Sequence, residues 1–200
     1  QRHHAPETVE EVQAIVAQSE RVRVVGARHS FSACADTPEG DMITLELLPV
    51  SIEIDDERRT VAVSAHASCA ELSSHLHERG WALHTLPSIA HVTVAGALAT
   101  ATHGSGDASG SLLCALEEVE YINHEGELVC CCGGLPSACL GRTVDPEMQG
   151  VVLGGFGVLI EVTLAIEPSF DVQTDVYLNV PWHRLLELHS INQVLPVGTR

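Results

Sequence analysis

One stretch with almost no large side chains constrains the fold of this chain more than any other feature. From residue 94 to residue 106 the sequence reads VAGALATATHGSG, in which only Leu98 and His103 have side chains larger than valine. Small side chains let a backbone approach other groups closely. We therefore expect this segment to be buried and touched on several sides. Taken alone, such a run more often forms a small-residue helix packed in the core.

A second loop of similar character follows a predicted strand. Residues 21–25 alternate and are rich in valine, which predicts a strand that ends at Gly26. In the loop that follows, GARHS, the amides and the Ser30 hydroxyl can converge on a phosphate. Many strands end in such loops, and a lone histidine such as His29 is more often a surface residue. The fingerprint Gly-x-Gly-x-x-Gly is absent after Gly104, which argues against a nicotinamide-binding domain.

Periodicity predicts a mixture of helices and strands along the rest of the chain. A boundary near Leu48–Pro49 separates a small N-terminal α/β lobe from a larger α+β lobe. The predicted elements are a helix opened by the capping box Thr8–Glu11 and running to Gln18, a strand over 43–47, a hairpin of 50–54 with 61–63, a helix over 70–79 stopped by Gly80, a short strand over 81–83, a hairpin of 118–121 with 128–132, and a strand from Val158 to Ile166 ended by Pro168.

Composition excludes several classes of function. The formal net charge is -17, with ten arginines and no lysine, so the chain repels phosphate backbones and nucleic acid is an unfavourable partner. No apolar run approaches the roughly 20 residues that span a bilayer, so no membrane span is expected. The hydrophobic fraction of 45% is sufficient for a packed core.

The cysteines and histidines do not predict a metal site. Seven cysteines are an odd number, and the run Cys130–Cys132 alternates faces in a strand without Cys-x-x-Cys spacing. Zinc is therefore disfavoured, and the thiols are interpreted as buried or edge residues in a reducing compartment, which predicts a cytoplasmic protein. His75 and His77 are two residues apart on a helix, so a solvated face is favoured over a metal site.

Taken together, the two loops strongly resemble the FAD-binding domain of the vanillyl-alcohol-oxidase flavoprotein family. The similarity is greatest to its alditol (xylitol) oxidases and sugar-1,4-lactone oxidases. It rests on the loop ending in His29-Ser30, the AGALATATHGSG segment about seventy residues later, the opening helix from Thr8, the Gly-x-x-Gly-Val strand at 154–160, and residues 171–182 as the start of a further domain.

That resemblance implies an α+β fold of the two-subdomain, FAD-binding PCMH type. It implies a first FAD-binding subdomain at 1–48, a second at 49–168, and the start of a substrate-binding domain at 169–200. It also implies FAD attached covalently to His29 through the 8α-methyl group of the flavin. The residues implied to bind FAD are Val25, Gly26, Ala27, Arg28, His29, Ser30, Ser88, Thr93, Gly96, Ala97, Leu98, Ala99, Thr100, His103, Val158 and Ile160.

The resemblance further implies a reaction, in which a polyol is oxidised at a CH–OH group and molecular oxygen is reduced to hydrogen peroxide. Ser88 is the implied catalytic residue, near the flavin ring and the substrate. A sugar-1,4-lactone oxidase and a catalytically silent FAD-binding module remain as alternatives. Three features depart from the family pattern: Arg28 replaces a frequent glycine, Ala90 replaces a proline, and the stretch from Cys130 to Cys139 is unusually rich in cysteine.

Overall fold

The computed structural model describes residues 2–106, 109–132, 153–174, 176 and 178–183. The chain divides into two compact units, Gln1–Ser169 and Phe170–Arg200. The first unit holds the strands β1 Arg2–His4, β2 Val22–Val24, β3 Asp41–Ile43, β4 Ile52–Asp55, β5 Thr60–Ser64, β6 Trp81–Ala82, β7 Leu116–Ile122, β8 Leu128–Cys132, β9 Val158–Ala165 and β10 Glu167–Pro168, and the helices α1 Val9–Gln18, α2 Cys69–Glu78 and α3 Val94–Ala99.

The second unit contributes no named helix or strand among its described residues. The predicted start of a substrate-binding domain falls in this unit, and much of it lies outside the described residues. The predicted division of the chain into segments 1–48, 49–168 and 169–200 therefore stays a prediction. Within the described residues, no helix is long and apolar enough to cross a membrane.

A small parallel sheet forms the N-terminal part of the first unit. Its strand order is β1-β3-β2, and α1 packs against it through Val12 and Val16. The Thr8 hydroxyl accepts the Glu11 amide at 3.2 Å, as the sequence predicts. The strand predicted over 43–47 is wrong in its bounds: β3 ends at Ile43, and the Leu48 amide then donates to the Leu45 carbonyl in a turn.

Asp41 anchors the central strand of this sheet. Its carboxylate is 2% exposed and accepts a bidentate pair of bonds from Arg2, one from the Ser19 hydroxyl and one from His4. These donors, Arg2 foremost, hold the pKa of Asp41 well below its ordinary value. The cluster ties strand β1 and the end of α1 to β3, which lies beside β2 and therefore beside the loop that follows β2.

Asp41→Asn is expected to lower the urea midpoint of the protein at pH 7, because it removes the buried negative charge and leaves one acceptor oxygen where two accept from Arg2, His4 and Ser19. A carboxylate with a lowered pKa stabilises the fold above its unfolded-state pKa of about 4 and loses that contribution as the pH falls. The variant should therefore show a weaker loss of stability between pH 5 and pH 2 than the wild type. Urea unfolding across that pH range tests this, and parallel curves would contradict it.

A larger antiparallel sheet holds most of the core. Its order is β4-β5-β9-β7-β8, and both hairpins form where the sequence predicts them. Helices α2 and α3 pack on one face through Leu72, Leu76 and Leu98. Ser68 and Glu71 form a complete capping box on α2, and Gly80 follows the helix with φ +78. Residues 130–132 lie in β8 at the edge of the sheet, as interpreted from the sequence.

The last strand of the sheet differs from its prediction at the C-terminal end. β9 stops at Ala165, one residue short of the predicted Ile166. Pro168 does not simply terminate β9. Glu167 and Pro168 form a separate short strand, β10, which pairs with Ala82 and Trp81 of β6 in a two-stranded antiparallel ladder. This position tolerates proline because proline has no backbone N–H to donate, and an edge strand can leave that position without a hydrogen bond.

Candidate cofactor site

A cleft of about 930 Å³ opens where several strands end in the first unit. Parallel strands β2 and β3 deliver the loops that follow them to the same edge of the small sheet. In the larger sheet, the ends of β5 and β7 lie beside the start of β9, since Ser64 pairs with Glu161 and Ile122 with Val158. The loops after these strands line the cleft, so two sheets contribute to one site.

The loop after β2 forms one wall. The Val25 amide donates to the Ile43 carbonyl at 2.8 Å, which fixes the start of the loop on β3. Arg28 has φ +60, in the left-handed region. The ring of His29 is exposed and meets the ring of His91 edge to face, with centroids 4.5 Å apart. The hydroxyl of Ser30 bonds to the thiol of Cys34 and lowers the pKa of that thiol.

The small-residue segment forms the facing wall. The Val94 and Ala95 amides donate to the Ala67 and Ala65 carbonyls at 2.9 and 2.8 Å, so the segment is held along the chain that follows β5. Thr93 caps α3 because its hydroxyl accepts the Gly96 amide at 3.1 Å. The run is thus a short helix for Val94–Ala99, partly packed in the core and partly open to the cleft.

The two walls touch at Gly26 and Thr93. A Cβ atom on Gly26 would lie 2.5 Å from the Thr93 hydroxyl oxygen, a distance that real Cβ atoms essentially never show. Only glycine at this position allows the first loop to approach the capping residue of α3. This contact places the two sequence motifs side by side at the cleft.

Most of the predicted binding residues meet in this cleft. Those that line it are Val25, Gly26, Ala27, Arg28, His29, Ser30, Ser88, Thr93, Gly96, Ala97, Ala99, Thr100, His103 and Val158. Leu98 is not among the lining residues: it is 2% exposed and packs in the core. Ile160 does not line the cleft either, because its carbonyl accepts the Ala65 amide and its side chain packs against the smaller core cluster.

Several lining residues were missed by the sequence analysis. They lie in the loops that follow β3, β5 and β7: Thr44, Leu45, Glu46, Ala65, His66, Asn123 and His124. Ala65, His66, Asn123 and His124 have only the signal of a position after a predicted strand, which does not reveal which strand ends meet. The other three fall inside the strand that was predicted over 43–47 and gave no signal of a loop. Residues 153–155 also line the cleft, and the Leu153 amide donates to the Ala99 carbonyl at 3.3 Å.

His66 is a half-buried titratable group of the cleft wall. Its Nε2 bonds to the Leu48 carbonyl at 3.0 Å, and its Nδ1 has no partner among the described residues. Burial lowers the pKa of His66, so the ring is neutral at neutral pH and Nε2 carries the proton that it donates. No group of three or more potential metal ligands occurs among the described residues.

The residues present fit FAD. The cleft volume lies within the range of roughly 300–1,000 Å³ that small-molecule and cofactor sites occupy. Its walls combine backbone from two loops with small side chains, which lets amides approach a long ligand closely. The tight contact between Gly26 and Thr93 leaves no room for a side chain at position 26 of the cleft lining. Apolar lining from Val22, Val24 and Phe156 suits the flat rings at the ends of such a ligand.

The fold and the cleft together fit a domain that binds FAD. A family described as "FAD binding domain" matches residues 3–131, and the chain belongs to this family. Membership confirms the α+β, PCMH-type fold and the cofactor FAD that the resemblance implied.

Curated relatives extend the similarity beyond the matched domain. The chain is 36% identical to an alditol oxidase from Streptomyces sp. over 182 residues, which cover 89% of this chain and 41% of the relative. It is 30% identical to L-gulonolactone oxidase from Bos taurus, over 86% of this chain and 38% of the relative. A D-arabinono-1,4-lactone oxidase from Eremothecium gossypii is 29% identical, over 84% and 32%. The chain thus spans about two fifths or less of the length of these relatives.

Proposed function

We propose that this chain is the FAD-binding part of an oxidase that acts on polyols. The observation that carries the substrate class is the 36% identity to an alditol oxidase over 89% of the chain. In the proposed reaction a CH–OH group of the polyol loses two electrons and two protons, and molecular oxygen gains them as hydrogen peroxide. Bound FAD supplies the two-electron chemistry between these partners.

Different residues of the cleft are proposed to make different contacts with the cofactor and the substrate. The loop from Val25 to Ser30 and the segment from Thr93 to Thr100 are proposed to contact the cofactor from opposite walls. His29 is proposed to carry FAD covalently, because its exposed ring stands at the cleft wall and makes no hydrogen bond with a described residue. The Ser88 hydroxyl also lines the cleft without such a bond and is proposed to contact the substrate.

A cytoplasmic location is part of this proposal. The cysteines at 34, 69, 114 and 131 are free thiols. Persistent free thiols are typical of reducing compartments, where disulfides are rare.

Replacing His29 by alanine tests the covalent attachment. The wild-type protein, saturated with FAD and then precipitated with acid, is expected to keep flavin fluorescence in the washed pellet. His29→Ala should release all of it into the supernatant, while still binding FAD before precipitation. His91→Ala is the matched control, since it removes the neighbouring ring but leaves the attachment site. A wild-type pellet without flavin would contradict the covalent claim.

A substrate panel tests the reaction. A protein that contains this chain together with its substrate-binding domain is expected to release hydrogen peroxide with polyols. Faster turnover with sugar-1,4-lactones would favour the lactone oxidase alternative, to which the 30% identity with L-gulonolactone oxidase points. Absence of turnover with both classes, despite bound FAD, would favour a catalytically silent module.

A further inference from the structure

Two glutamates face each other across neighbouring strands of the larger sheet. Glu120 of β7 pairs with Glu161 of β9 in the antiparallel ladder, so the two side chains lie on the same face of the sheet. Directly opposite residues have Cβ atoms roughly 4.5–5.5 Å apart, and like charges at such positions destabilise a sheet. Both residues are half-buried. The arrangement is therefore unfavourable when both carboxyls are ionised.

No cation forms an ion pair with Glu120 or Glu161 within the described part of the chain. Arg58 binds the neighbouring acids instead, with its guanidinium 2.6 Å from the Glu118 carboxylate and 3.5 Å from that of Glu117. The chain contains no lysine that could compensate the charge. Along one face of β7, an acid that has a cation is thus followed two residues later by an acid that has none.

The other groups around the pair do not relieve the repulsion. On β5 the residue opposite Glu161 is Ser64, a neutral side chain whose hydroxyl already bonds to backbone groups. On β4 the carboxylate of Glu53 adds a further negative charge, and on β8 the residue opposite Glu120 is Cys130. Helix α1 contributes apolar side chains where it packs near the end of β7. Burial foremost, and then the two neighbouring carboxylates, raise the pKa of Glu161.

The pair lies at the irregularity that connects β9 to the cleft. The register of β7 with β9 shifts directly after Glu120, so that Ile160 is an extra residue, a β-bulge, immediately before Glu161. The Ile160 carbonyl accepts the Ala65 amide at 2.8 Å. Ala65 lines the cleft, and so do residues 158–159 on the other side of the bulge. Repulsion between the two carboxylates therefore acts where β9 and the loop after β5 hold one wall of the cleft.

We propose that the Glu120–Glu161 pair is a pH-sensitive element that weakens this wall of the cleft as the pH rises. With a proton on the pair, the two strands lie together without repulsion. With both carboxyls ionised, the ladder is destabilised at the bulge, and FAD is bound less tightly. The effect on FAD rests on the proposed cofactor site, whereas the effect on the sheet is a property of the protein without cofactor.

Urea unfolding of the cofactor-free protein at pH 4.5 and pH 8 tests the pair. A carboxyl whose pKa is raised by folding stabilises the fold below its unfolded-state pKa of about 4.3, and that contribution is lost as the pH rises through the folded-state value. Glu161→Gln should therefore raise the urea midpoint by about 0.3 M at pH 8 and by clearly less at pH 4.5. Glu118→Gln is the matched control, because it removes the same charge from the same face but loses a bond to Arg58. The control should not raise the midpoint.

Two further measurements separate the pair from a general effect of charge. Glu120→Gln alone also removes the repulsion, so the midpoint gain of the double variant at pH 8 should be clearly smaller than the sum of the two single gains. In a His29→Ala parent, in which FAD binding is reversible, the FAD dissociation constant should increase from pH 4.5 to pH 8. Adding Glu161→Gln to that parent should make this increase about threefold smaller.

Three urea results would each overturn the proposal: an unchanged midpoint of Glu161→Gln at pH 8, an equal rise in Glu118→Gln, or fully additive gains in the double variant. The same increase of the FAD dissociation constant with and without Glu161→Gln would overturn the coupling to the cleft. A His29→Ala parent that binds no FAD at either pH would instead contradict the proposed cofactor site, and the urea result would still decide the role of the pair.

Discussion

Gly157→Ala is expected to destabilise the protein by about 3 kcal/mol, the upper part of the range for an overpacked position. Gly157 has φ +152, and a Cβ atom there would collide with the carbonyl oxygen of Ile122. That carbonyl belongs to the end of β7, beside the start of β9, where Ile122 pairs with Val158. Neither backbone can move without breaking the ladder that forms this side of the cleft.

Gly154→Ala is the matched control for that variant. Gly154 lies in the same loop with φ +77, but a Cβ atom there would meet no heavy atom within 4 Å. Gly154→Ala should therefore lower the free energy of unfolding by roughly 1 kcal/mol, which is the cost of the left-handed backbone conformation alone. Urea unfolding of both variants measures the difference. Equal destabilisation would mean that backbone conformation, and not the contact with Ile122, decides the effect at Gly157.

Gly26→Ala is expected to weaken FAD binding at least about tenfold and to destabilise the fold by roughly 1–3 kcal/mol. The new methyl group would displace the Thr93 hydroxyl, which caps α3. Loss of such a cap alone costs about 1 kcal/mol. The larger consequence is for the cofactor, because the two walls of the cleft would move apart at their point of contact.

A double-mutant cycle isolates this contact. Thr93→Ala alone should lower the free energy of unfolding by about 1 kcal/mol, the contribution of a helix N-cap. In the Thr93→Ala background the clash is relieved, so the further cost of Gly26→Ala in unfolding free energy should fall clearly below its cost in the wild type. Full additivity in urea unfolding would contradict the claim that Gly26 and Thr93 join the two walls.

Local patterns predicted the local structure. The hairpin of β4 with β5 and the helix ended by Gly80 depend on alternation, capping and turn residues that are close in sequence. The strand predicted over 43–47 failed because alternation continues through Leu45 and Leu47 while the chain already turns after Ile43. The turn buries Leu45, which is 4% exposed, but leaves Leu47 51% exposed, so the alternation of hydrophobic residues does not correspond to alternate burial here.

The site required information that local patterns do not contain. Spacing alone favoured a core helix for 94–106, and part of that segment is indeed a short helix packed in the core. Only the resemblance joined it to the loop before His29. Leu98 shows the limit of a contiguous motif, because a helix turns one of its residues into the core while its neighbours face the cleft. His66 and Asn123 reach the cleft through strand order, which the sequence does not specify locally.

The most direct test of the account is the visible absorption spectrum of the purified protein after incubation with FAD and gel filtration. We predict that the protein peak carries the absorption bands of oxidised flavin at about one equivalent per chain. The same experiment on Gly26→Ala should give clearly less flavin at equal protein concentration. A folded wild-type protein that elutes without flavin would contradict the claim that this cleft binds FAD.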